Sequence, residues 1–176
     1  MVMITGKVSL TTHSERETQQ VGELLGKMLT QAAVVSLTGE LGAGKTVFAK
    51  GVAQGLEIEK PVRSPTFTLM QTYQGRLKLF HFDFYRLELV DELEELGLEE
   101  YLEGQGIALL EWGENFPEVL PLERMEIQIN RGWDNSHERN LVFLPNGDYY
   151  YQLAEKIVDS VEYDGKGKLW IPMLEN

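Results

Sequence analysis

Gly39-Glu40-Leu41-Gly42-Ala43-Gly44-Lys45-Thr46 meets the pattern G-x-x-x-x-G-K-[ST] at every fixed position. The chemistry of such a segment is phosphate binding. Its glycines leave room for a loop whose amide N–H groups converge inward, at the positive end of the helix that follows. Glu40, Leu41, Gly42, Ala43 and Gly44 supply the cradle. Lys45, expected to be an exposed side chain, reaches the β and γ phosphates, and the Thr46 hydroxyl ligates Mg²⁺. Average residue usage makes a chance match in a chain of 176 residues about one in a hundred or rarer.

A loop of this kind needs a further carboxylate at the C-terminal end of a neighbouring apolar strand to hold the metal. Glu111, which ends Ile107-Ala108-Leu109-Leu110, is so placed; the plain alternative is a solvated glutamate at a strand end. Asp83 stands on the polar face of a strand otherwise lined with phenylalanines, and is either an active-site carboxylate or a partner for Arg86. Ser64-Pro65-Thr66-Phe67 puts two hydroxyls in a proline-stiffened loop some twenty residues after the phosphate loop. Nucleotide switches place there a residue that senses the γ-phosphate and its metal, whereas the ordinary reading is a turn into a strand.

The elements that must position these groups follow from periodicity. Ser14 and Glu17 form a capping-box pair, and Val21, Leu24, Leu25, Met28 and Leu29 recur at helical spacing, so residues 14 to 30 are predicted as an amphipathic helix. Ala32 to Leu37 reads as a strand buried on both faces, followed by the glycine loop and a helix through Val47 to Gly55. Phe67 to Tyr73 and Leu77 to Tyr85 are predicted to pair as a hairpin around Gln74, Gly75 and Arg76, with His81 and Asp83 on one face and Phe80, Phe82 and Phe84 on the other. Val90 to Leu102 is helical and broken at Gly97. Ile107 to Leu110 is a buried strand, and Met125 to Ile129 and Asn140 to Leu144 form a second pair around the polar loop Asn130 to Glu138. Leu153, Ile157, Val158 and Val161 mark a last short helix. The expected fold class is α/β: a P-loop NTPase-like sandwich with a mixed sheet flanked by helices, in one domain over residues 1–176.

Composition narrows the function. With 43% apolar and 25% charged residues the chain is an ordinary globular one. It has no apolar run that would span a bilayer and no leader-like N-terminus, so a cytoplasmic protein without membrane contact is expected. The absence of cysteine excludes disulfides, thiol nucleophiles and cysteine-held metals. His13, His81 and His137 have no ligand spacing between them, which argues against a histidine metal site. A net charge of −12 disfavours direct RNA or DNA binding, and Glu88 to Glu103 alone holds eight acidic and no basic side chains. That stretch is either a solvated helix face or a surface for a basic partner. No Asn-Lys-x-Asp guanine-reading motif is present, which favours ATP over GTP.

Taken together, GELGAGKT at 39–46, RSPTFTL at 63–69, HFDFYRL at 81–87 and LEW at 110–112 resemble the TsaE (YjeE) family, bacterial ATPases of the tRNA N6-threonylcarbamoyladenosine modification. The similarity spans about Ser14 to Leu144; residues 145–176, including Tyr149 to Tyr151 and Trp170, are left unassigned. The resemblance implies ATP and Mg²⁺ as ligands, and TsaB and TsaD as partners, with tRNA met only through that complex. It assigns phosphate binding to Lys45, Mg²⁺ to Thr46 and Glu111, hydrolysis to Asp83 and a switch-like loop to Thr66. Trp112 matches a family tryptophan beside the nucleotide, against the alternative of a core aromatic, and Thr18 is the candidate near adenine. Two rival readings are a P-loop small-molecule kinase and a nucleotide-gated binding module with little hydrolysis.

Overall fold

A computed structural model of the chain describes residues 3–4, 7–132, 137–163 and 169–171. Its centre is strand β3 (Ala33–Thr38), all six residues of which are buried. The run of apolar and β-branched side chains lacks alternation because both faces are covered. β3 lies parallel to β6 (Ile107–Glu111) on one side and to β7 (Arg124–Arg131) on the other, and β6 lies parallel to β5 (Leu79–Asp83). Antiparallel pairs extend the sheet outward, β4 (Met70–Tyr73) on β5, and β8 (Arg139–Asn146), β2 (Lys7–Thr12) and β1 (Met3–Ile4) beyond β7. The order is β1-β2-β8-β7-β3-β6-β5-β4, a mixed sheet, with a separate two-stranded ribbon of β9 (Glu162–Tyr163) and β10 (Leu169–Trp170).

Helices cover both faces, as the α/β sandwich requires. Val35, Leu37, Ile107 and Leu109 pack against α1 (Glu15–Met28), α2 (Lys45–Gly55) and α5 (Asp148–Asp159). The alternate residues Val34, Ala108 and Leu110 meet Phe82, Phe84, Leu93 and Leu98 beneath α3 (Asp91–Glu95) and α4 (Leu98–Leu102). α1 begins as its sequence predicts, the Ser14 side chain accepting from the Glu17 N–H. Fourteen residues are marginal as an isolated helix. Complete burial of Val21, Leu24 and Leu25, at about 1.5–3 kcal/mol per side chain, outweighs propensity in holding it. α1 and α2 touch backbone to backbone: a Cβ at Gly51 would stand 2.0 Å from the Gln19 carbonyl oxygen, and one at Gly22 2.3 Å from that of Phe48. This contact seats the helix that carries Lys45 and Thr46.

Several expectations need adjustment. Residues 67–69 are not strand: the Thr68 and Leu69 amides turn back to the Pro65 carbonyl, and Leu69 is left-handed at φ 62°, so the hairpin partners are only Met70–Tyr73 and Leu79–Asp83. Lys7–Thr12, given no element above, forms β2 on β8. Its alternation, Val8, Leu10 and Thr12 buried, was legible in Lys7-Val8-Ser9-Leu10-Thr11-Thr12. β7 and β8 run through Arg131 and from Arg139, so their connection is shorter than residues 130–138; positions 133–136 of it lie outside the described residues. The break at Gly97 is real, with φ 68° between α3 and α4. The last helix ends at Asp159, short of Val161. Within the unassigned C-terminal residues, the Tyr149 and Tyr150 hydroxyls accept the amides of Thr30 and Val34, which pins α5 over the turn into β3; Tyr151 is exposed, and the Trp170 side chain lies outside the described residues.

Candidate nucleotide site

The phosphate loop leaves the C-terminal end of β3 and enters α2. Gly39, Gly42 and Gly44 adopt φ 132°, 76° and 111°, the left-handed region that glycine enters without a Cβ penalty. Gly44 caps α2 with no side-chain acceptor, so the first-turn amides, which a helix cannot pair internally, are left to the cavity the loop lines. That cavity, about 360 Å³, is bounded by residues 41–47, Thr18, Ser64, Thr66, Asp83, Glu111 and Trp112. Every residue given a site role from the sequence except Glu40 lines it; Glu40 is exposed and contributes its backbone carbonyl.

Lys45 corrects its expectation. It is 4% exposed, not a surface side chain. Its Nζ donates to the carbonyls of Gly39 and of Glu40, the latter at 3.0 Å, and lies 3.6 Å from the centroid of the Trp112 ring. Burial lowers its pKa from the ordinary lysine value, while the charges of Glu114, Glu111 and Asp83, in that order, pull it back up. The loop amide of Gly39 donates to Glu114 at 3.0 Å.

On the floor, the Thr46 hydroxyl is 3.0 Å from each carboxylate oxygen of Glu111. Glu111 is 3% exposed, so the solvated alternative fails. Parallel pairing of β5 with β6 sets Asp83 opposite Glu111, bringing both carboxylates to one sheet edge. Asp83 accepts from the Ser64 hydroxyl at 2.8 Å, from the Thr66 hydroxyl and from the Tyr85 N–H at 3.0 Å. It does not serve as partner to Arg86, which instead lies over the exposed Phe67 ring at 4.7 Å. The serine-proline-threonine loop is thus tied to the sheet edge that carries both carboxylates.

Trp112 continues β6 in a left-handed conformation, φ 64°, a costly position for a bulky residue. Its half-buried ring borders the cavity, stands 5.0 Å from that of Tyr85 and packs against the core around Phe82 and Phe84, so it is at once cavity wall and core flank. Thr18 reaches the cavity wall with its hydroxyl engaged by Thr12 at 2.7 Å and the Ser14 carbonyl at 3.2 Å.

Sequence reasoning missed three residues. His81 was set aside for want of ligand spacing, yet its Nε2 lies 2.9 Å from Glu111 Oε1. Arg131 and Arg139, directly opposite across β7 and β8, donate to the carbonyls of Leu41 at 3.0 Å and Ala43 at 2.7 Å. No local motif marks them; strand pairing some ninety residues downstream delivers them.

The assembly offers hard oxygens and converging amides, the donor set that suits a phosphate-bound Mg²⁺. Comparison with known proteins identifies the family. The family model for threonylcarbamoyl adenosine biosynthesis protein TsaE matches residues 12–141. A Bacillus subtilis protein named tRNA threonylcarbamoyladenosine biosynthesis protein TsaE is 44% identical over 147 residues, 83% of this chain and 90% of its own length. A Treponema pallidum protein of the same name is 39% identical over 127 residues, 72% of this chain and 94% of that one. The crystal structure of Bacillus subtilis YdiB superposes with a TM-score of 0.76 at 36% identity, covering 90% of this chain and 98% of the other. The chain therefore belongs to the TsaE family.

Proposed function

We propose that this chain is the Mg²⁺-dependent ATPase of the bacterial machinery that makes N6-threonylcarbamoyladenosine in tRNA, acting in the cytoplasm with TsaB and TsaD. The pathway follows from the names its relatives carry. The observation that supports ATP hydrolysis best is the floor of the cavity, where the Thr46 hydroxyl meets both oxygens of a buried Glu111 beneath a phosphate loop.

The residues divide the work. Lys45 exchanges the carbonyls of Gly39 and Glu40 for the β and γ phosphates, and the loop amides take the remaining oxygens. Thr46 and Glu111 would hold Mg²⁺, which supplies charge neutralisation of the phosphates. Asp83 orients a water toward the γ phosphorus and takes its proton as the bond to the ADP oxygen breaks. Thr66 and Ser64, bonded to Asp83, couple the position of their loop to that carboxylate. Thr18 and Trp112 flank the nucleotide. With a charge of −12 the chain meets tRNA through its partners rather than alone.

The test is to measure ATP turnover, tRNA binding and threonylcarbamoyl transfer with this chain alone, with TsaB and TsaD alone, and with all three. Slow hydrolysis alone, faster hydrolysis in the mixture and modification that requires the chain are expected. Tight tRNA binding by the isolated chain, or turnover that the partners leave unchanged, overturns the reading.

A further inference from the structure

We infer that His81 is a positioning residue, a hydrogen-bond donor that fixes the Glu111 carboxylate in the orientation in which it takes a divalent cation. The inference rests on the reading of Glu111 as a metal ligand.

His81 lies within β5 on the face turned toward α2, fully buried. In the parallel pairing it stands opposite Leu109, two residues before Glu111, and its ring reaches along the strand to Oε1 at 2.9 Å. The other ring nitrogen, Nδ1, is buried and meets no hydrogen-bond partner among the described residues. A proton on Nδ1 would be an orphaned donor in the interior, which is costly, whereas a bare nitrogen there loses only an acceptor's hydration. Nε2 therefore carries a proton and donates to Glu111 Oε1.

Glutamate has one more rotatable bond than aspartate, and an unanchored carboxylate loses that freedom on ligation. His81 restrains it beforehand, holding Oε1. The Thr46 hydroxyl, equidistant from both oxygens, is aligned by the same carboxylate, and Oε2 is the oxygen that His81 leaves unengaged. This is the arrangement by which groups behind a ligand set metal affinity without touching the metal.

The experiment titrates Mn²⁺, as a spectroscopic substitute for Mg²⁺, into ADP-bound protein, with ADP binding in chelator measured separately. His81→Leu is expected to weaken Mn²⁺ by about 10–100-fold while metal-free ADP affinity stays within about twofold. His81→Gln, which puts an amide N–H where Nε2 stands, is expected to recover most of the loss, and His81→Asn, whose donor is too short, is not. In a Glu111→Gln background His81→Leu should add less than about twofold, because the two act through one interaction. Should His81→Leu fail to fold, the Gln and Asn variants decide alone. Equal Mn²⁺ affinity in those two variants, wild-type affinity in His81→Leu, or an undiminished effect of His81→Leu without Glu111 overturns the inference. If wild type binds ADP identically with and without Mn²⁺, the failure lies instead in the metal-site reading.

Discussion

Replacing Lys45 with alanine separates what the lysine does for the fold from what it does for a phosphate. Lys45 is 4% exposed, and its ammonium makes two bonds to loop carbonyls and one contact with the Trp112 ring. Each charge-assisted bond contributes about 1.5–3 kcal/mol and the ring contact about 1 kcal/mol, so roughly 4–7 kcal/mol of attraction disappears with the side chain. The cost of keeping an ammonium out of water, several kcal/mol, disappears with it. That cost is the first cause of the lowered pKa, and it opposes the lost contacts. Stability should therefore change by no more than about 2 kcal/mol, the range of an ordinary substitution. No such cancellation protects nucleotide binding, because the phosphates enter a cavity that also holds Asp83 and Glu111. Loss of the lysine should weaken ATP by at least about 100-fold, or ~2.7 kcal/mol. Urea denaturation followed by circular dichroism gives the first quantity, and calorimetric titration with ATP and Mg²⁺ the second. A folded variant that binds ATP within about threefold of wild type would refute the assignment.

Asp83→Asn keeps the side chain's shape and its acceptor for the Tyr85 N–H, but removes the base: turnover with the partners should fall by about 10²–10⁴-fold with ATP affinity little changed, measured by single-turnover hydrolysis beside calorimetry. An unchanged rate would leave Asp83 only as the anchor of the Ser64 and Thr66 loop. Tyr150→Phe deletes the hydroxyl that accepts the buried Val34 N–H at 2.8 Å and should cost about 1–3 kcal/mol in urea. Burial raises the pKa of Tyr150, so above about pH 10 the unfolded chain has lost a proton that the folded chain keeps, and wild-type stability falls as pH rises. Denaturation on either side of that pH should show a shallower fall in the phenylalanine variant; parallel profiles would exclude the hydroxyl as the cause.

Legibility of the sequence differed by the range of the interaction. The P-loop, its strand and its helix were all readable, because local spacing and hydrophobic period dictate them. So were Glu111 and Asp83, each fixed to the site by being the last residue of a buried strand. The burial of Lys45 was not readable, since it depends on the loop folding its carbonyls back onto the ammonium and on Trp112 taking a left-handed conformation. The turn at Pro65 to Leu69 was hidden by a β-rich composition that local hydrogen bonds override. His81 escaped because metal-ligand spacing along the chain is the wrong test for a residue that acts on a ligand from the neighbouring strand.

The arginines behind the phosphate loop show how the outer sheet serves the site. Like charges directly opposite on paired strands repel, and Arg131 and Arg139 are so placed. Their pairing is sustained because each guanidinium has a carbonyl of the loop to bond, Leu41 for one and Ala43 for the other. A carbonyl drawn outward turns the following amide the other way across a planar peptide, so these bonds hold the loop in the sense that aims N–H groups at the cavity. A side chain at Gly42 would meet the Arg131 guanidinium at 2.7 Å, which makes this glycine a requirement of the clamp as well as of its own φ of 76°. The hairpin that carries both arginines is held between β3 and β2. β2, far along the chain from the phosphate loop, thereby supports the register on which the shape of the phosphate cradle depends.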